Sequence, residues 1–143
     1  MNLYLLVAGI LTLIAALLHI GCIYFGASWY RFFGAGEHMA RLAEQGSHYP
    51  TLVTSVITLV LLIWSAYAAA GAGVLLKLPF MRWVLSLITL LLLLRAVAGF
   101  YFVFEPMGRT PAFWLWSSLI CLLLAALYGV GLVQKWPILA KAK

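Results

Sequence analysis

The stretch FMRWVLSLITLLLLLRAVAGFYFVF, residues 80–104, decides the fold. A helix that crosses a bilayer needs about 20 mostly apolar residues. This stretch exceeds that length and holds an unbroken leucine run from Leu90 to Leu94. Working outward, residues 3–25, 51–76 and 112–134 meet the same condition. Period-two alternation is absent, which argues against a β-barrel. In lipid every backbone polar group must be satisfied internally, so four apolar segments read as four helices.

Composition agrees. Of 143 residues, 66% are hydrophobic and 8% are charged, and mean hydropathy is +1.12. A soluble domain carries about a quarter charged residues, so this chain cannot dress a water-facing surface. That excludes a soluble enzyme, a disordered chain and a fibrous repeat. It also excludes nucleic-acid binding as the reason for the net charge of +6. The breaks are sharp: Lys77-Leu78-Pro79, then Glu105 to Pro111 with two prolines, then Trp136-Pro137, expected to end the fourth helix. Short connections favour antiparallel neighbours. The expected fold is all-α: residues 1–143 as one membrane domain, an antiparallel up-down bundle of four transmembrane helices with an interfacial amphipathic helix in loop 26–50. The first apolar run has no preceding Lys or Arg and exceeds a signal-peptide core, so it reads as a retained helix. A cut after Ala27, leaving three spans, is the alternative.

Lys77, Arg82, Lys135, Lys141 and Lys143 fall on one side, and Arg31, Arg41 and Arg109 on the other. The positive-inside rule then places both termini in the cytoplasm, and the lysine-tipped C-terminus sits against anionic headgroups. Cys22 and Cys121 fall at different depths, so no disulfide is expected.

Loop 26–50 is the one substantial connection. Trp29, Tyr30, Arg31, Phe32 and Phe33 suit the membrane surface. Glu37 to Gln45 reads as a short helix with a Glu37–Arg41 pair four residues apart. One reading is an amphipathic connector. The other is a lid, carried by Trp29, Tyr30, Arg31, Glu37 and His38, over an outward-opening site, since long loops are often functional.

Three of the spans, the first, second and fourth, carry small or polar residues at three- and four-residue spacing: Ala8, Thr12, Ala16, His19 and Cys22; Thr54, Ser55, Thr58 and Ser65; Ser117, Ser118, Cys121 and Tyr128. Close helix packing explains most of them. Arg95 and His19 ask for more. Arg95 lies about 15 Å below the outer end of its helix, and His19 about 9 Å below the outer end of the first. A mid-membrane Arg costs at least about 2.5 kcal/mol and is usually paired or lines a wet cavity. Glu105, about 15 Å higher on the same helix, meets it only partway. Thr54, Ser55, Thr58 and Ser117 lie at intermediate depth and offer oxygens. A purely structural Arg95 and a ligand-contacting one both remain open.

Several chemistries fit poorly. A bis-His haem needs a second buried imidazole, and His48 sits near the surface. His19, His38, His48 and Glu37 match no metal spacing. Proton-coupled cation export needs an embedded carboxylate, and none exists. The arginine, asparagine and glutamate pattern of the membrane-associated eicosanoid and glutathione enzymes is absent from residues 51–76.

The run Leu18-His19-Ile20-Gly21-Cys22, with Trp29-Tyr30-Arg31-Phe32-Phe33-Gly34-Ala35-Gly36-Glu37, resembles uncharacterised bacterial four-helix inner-membrane proteins. It is broadly similar to the DoxX-like group. The resemblance covers most of the chain. It implies a bacterial inner membrane and transfers no activity or residue role.

The expected function is an outward-facing intramembrane pocket for a lipid or quinone-like amphiphile, in a binding or accessory subunit. Arg95 holds the polar head, an affinity guanidinium has for phosphate or carboxylate. His19 exchanges a hydrogen bond, Glu105 balances charge, Ser55, Thr58 and Ser117 supply oxygens, and Trp29, Tyr30, Trp114 and Trp116 flank the apolar part. Alternatives are a quinone-linked oxidoreductase subunit with His19 exchanging protons, and a minimal oligomeric transporter. Expected partners are the bilayer and a second copy or larger membrane complex, with no nucleic acid.

Overall fold

A computed structural model describes residues 1–140; Lys141 and Lys143, counted in the charge balance above, lie outside them. Six helices follow in order: α1 (Leu3–Phe25), α2 (Ala27–Phe32), α3 (Glu37–Glu44), α4 (Tyr49–Ala72), α5 (Met81–Phe102) and α6 (Pro111–Ala140). Four of them, α1, α4, α5 and α6, are long and apolar enough to cross a membrane. Only 22% to 33% of the most apolar window in each is buried. The rest of the apolar surface faces outward, as it does in helices whose surroundings are hydrocarbon. The architecture is that of a multi-pass membrane protein.

Local chemistry sets the boundaries. Asn2 caps α1 by accepting from the Leu5 N–H at 2.9 Å. Gly26, at φ 73°, turns the chain out of α1 into α2. Pro50 lies in the first turn of α4, where its missing N–H costs nothing, so α4 starts before residue 51. Gly73 adopts the left-handed conformation and ends α4 at Ala72, short of the expected residue 76. The expectation that Trp136-Pro137 stops the last helix is overturned, because α6 runs through Pro137 to Ala140. Pro137 removes one N–H near the helix end, and continued winding buries Leu139 with Leu132 against the core.

The spanning helices pair as antiparallel neighbours. Along α1 and α4, Ser65 Oγ donates to the Gly9 carbonyl at 2.8 Å, and the Asn2 N–H donates to the Ala72 carbonyl at 2.9 Å. Along α5 and α6, Gly129 lies opposite Thr89 and Gly99 opposite Ser118. The two pairs join chiefly in the half that holds residues 2 and 134. There Asn2 Nδ2 donates to Gln134 Oε1 at 2.9 Å. The Tyr128 hydroxyl lies 3.1 Å from Thr12 Oγ1 and donates to the Trp64 carbonyl at 3.2 Å. Leu5, Leu85, Ile88, Leu92, Leu124 and Tyr128 form the core of this half. The opposite half, the loop end, has its own small cluster of Cys22, Tyr30 and Ala40.

Candidate functional site

At the loop end, α2 folds back on α1. The Trp29 ring covers Gly21 so closely that a Cβ there would lie 2.9 Å from Trp29 Cε3. It also stacks on Phe25 with centroids 4.5 Å apart. Tyr30 is 3% exposed, and its hydroxyl pairs with Thr54 Oγ1 at 3.0 Å. Arg31 then clamps α3. Its guanidinium donates to Glu37 at 2.9 and 2.8 Å and to Glu44 at 2.6 and 3.1 Å. The expected Glu37–Arg41 contact is present but longer, at 3.4 Å. These hydrogen bonds hold the Glu37 carboxyl down at about 2 and the Glu44 carboxyl below its usual range, and they raise Arg31. Two of the chain's three acids are therefore already engaged.

Among the described residues Arg95 and Arg109 have no such partner. The Arg95 Cζ lies 5.1 Å from the centroid of the Trp114 ring, and the Arg109 Cζ lies 5.4 Å from the same ring. Arg109 also sits 4.9 Å over Phe113 and donates from Nε to the Ala35 carbonyl at 3.3 Å. Trp114 is buried and fixed by its own Nε1–H bond to the Pro106 carbonyl at 2.6 Å. Arg95 Nη2 donates to Ser117 Oγ at 3.1 Å. Arg95 Nη1 and Ser118 Oγ are sealed from solvent with no hydrogen-bond partner among the described residues. Both crowd the bare Cα of Gly99, where any Cβ would collide with them. Arg109 is pushed below its ordinary value, first by burial and then by the charge of Arg95. A guanidinium stays protonated regardless, so two cations share one indole. Among the described residues every ion pair involves Glu37 or Glu44.

Beside Arg109 opens a cavity of about 570 Å³, within the range of small-molecule sites. His38, Met39 and Leu42 of α3, Tyr49 at the start of α4, and Met107 line it with Arg109.

The residues expected to form one pocket separate here. Arg95 and Ser117 meet, and His38 lines the cavity. Trp29 and Tyr30 are packed on the bundle, while Arg31 and Glu37 form the exposed clamp. His19 spends Nδ1–H on the Ala15 carbonyl of its own helix at 2.7 Å. Thr58 is buried and donates to the Thr54 carbonyl at 2.8 Å. Three expectations are corrected. Ser55 is exposed, because Thr54 and Thr58 take the inner face and one residue is a turn of about 100°. Trp116 is 66% exposed, two positions from Trp114 and on the opposite side of α6. Glu105 is exposed beyond the end of α5 and makes no ion pair among the described residues, so it does not balance Arg95. Sequence reasoning missed Arg109 as a site residue. Its signal was an Arg placed before a helix start with Phe113 and Trp114 four and five positions on.

Comparison with family models, with curated proteins and with solved structures finds no match for this chain.

Proposed function

We propose that the loop-end cavity binds the anionic head of an amphiphile, and that the protein serves as a binding or accessory subunit in a membrane. Arg109 is the direct partner at the cavity wall. Arg95 stands behind Trp114 and raises the positive potential there. Met39, Leu42 and Met107 receive the start of the apolar part. One observation carries the reading: two guanidiniums meet on the Trp114 ring, and among the described residues neither has a carboxylate partner. Uncompensated charge in an apolar setting is costly, and an anionic guest relieves it. A quinone offers only carbonyl acceptors and leaves both charges uncompensated. The basic excess at the other end favours cytoplasmic termini in a bacterial inner membrane, with this cavity facing out.

The test is titration of the protein in dodecyl maltoside micelles with dodecyl phosphate, read by Trp fluorescence. A hydrogen bond to a charged group contributes about 1.5–3 kcal/mol. Arg109→Gln is therefore expected to weaken binding by at least about tenfold with helicity unchanged. Equal binding by wild type and Arg109→Gln refutes the assignment.

A further inference from the structure

The opposite end of the bundle carries an independent feature. A cavity of about 330 Å³ opens where α4 ends, α5 begins and α6 ends. Lys77 and Lys135 line it, with Leu75, Leu76 and Ile138 among its apolar walls. Neither lysine has a carboxylate partner among the described residues, and every acid of the chain lies in the loops at the other end. The simplest rest for a lysine here is the negative end of a helix. Three of the last four carbonyls of α4 are already engaged. The Ala69 carbonyl accepts from Val74 N–H at 3.0 Å, Ala70 from Gly73 at 3.1 Å, and Ala72 from Asn2 at 2.9 Å. A third cation stands close by. Arg82 lies 4.9 Å over Trp83 and 5.8 Å over Trp136, the neighbour of Lys135. Both indoles are exposed, as aromatic side chains at a membrane interface are.

We propose that this cavity is a specific site for the phosphate of an anionic phospholipid. The phosphate sits between Lys77 and Lys135, and the acyl chains run down the exposed side chains of Leu75, Leu76 and Ile138. Lysine is a good point-charge partner for phosphate. The apolar walls select a lipid over free phosphate, because Leu75, Leu76 and Ile138 are all exposed, and such an apolar patch belongs against acyl chain rather than water. The site shares no residue with the loop-end cavity and does not rest on it.

The experiment uses the full chain in vesicles of phosphatidylglycerol and phosphatidylcholine, extracted gently, with retained lipid counted by native mass spectrometry. It is run in wild type and in Arg109→Gln, so that the loop-end cavity contributes in only one of the two. A cation near an anionic surface contributes about five-fold. The pair Lys77→Gln/Lys135→Gln is expected to cut the preference for phosphatidylglycerol by roughly twenty- to thirty-fold in both backgrounds. Lys77→Arg/Lys135→Arg keeps it. Unchanged preference in the glutamine pair, no preference in wild type, or displacement of the lipid by millimolar inorganic phosphate overturns the proposal.

Discussion

Ser118 gives the sharpest test of the packing. Its hydroxyl is fully buried, has no partner, and faces the Gly99 backbone beside Arg95 Nη1. An unsatisfied buried polar group costs about 1–3 kcal/mol. Ser118→Ala removes that hydroxyl at nearly constant volume and is expected to stabilise the α5–α6 pair by about 1 kcal/mol. Gly99→Ala works the other way. The new methyl collides with Ser118 Oγ and with the guanidinium end, and overpacking costs about 1–3 kcal/mol, of which better helix propensity returns about 1 kcal/mol. With Ser118→Ala in place one collision is gone. The other is with the far end of a flexible side chain, and the next atom, Ser118 Cβ, is 3.3 Å from the new methyl. The double variant is therefore expected to be at least as stable as wild type, with a coupling of about 1–2 kcal/mol between the two sites. The assay is reversible unfolding in mixed detergent micelles, followed by circular dichroism, for all four corners of the cycle. Destabilisation by Ser118→Ala, or simple additivity of the two changes, refutes the reasoning.

Acid is expected to loosen α3. The Glu37 and Glu44 carboxyls are held below 4.5 by Arg31, so their contribution is complete above that pH and fades as pH falls towards 2. A spin label on α3 should gain mobility over that window, and Glu37→Gln should show part of that gain at neutral pH. Asn2→Ala removes the cap on Leu5 and the bond to Gln134. It should cost about 1–2 kcal/mol in the same unfolding assay, and a neutral result contradicts the cap.

How much of this was legible depended on how local each determinant is. The spans were readable because hydropathy and length act within one segment, and α1 matches its reading residue for residue. The end of α6 was not. A proline breaks a helix on local grounds, but burial of Leu139 across the bundle outweighs one missing donor. Arg95 stood out because a charge in a leucine run is anomalous whatever surrounds it. Its partners did not, since Ser55 and Trp116 were chosen by depth while helical phase turns both outward. Arg109 lay in a connection whose meaning comes only when the turn before α6 meets Ala35 across the loop end. Of the three acids, Glu105 was misjudged as a counter-charge to Arg95, and the main partner of the other two was not foreseen. Arg31 gathers two of them from positions six and thirteen residues away, a geometry that loop folding alone creates.

The clasp between Asn2 and Gln134 spans 132 positions of chain. It can close only after α6 has been made and inserted. Until then α1 is held by α4 alone, through the Asn2–Ala72 and Gly9–Ser65 bonds, and the Asn2 side-chain amide lacks its partner. The same clasp makes the first turn of α1 a poor place for a fused tag, because extra bulk beside Asn2 wedges apart the point where three helices meet.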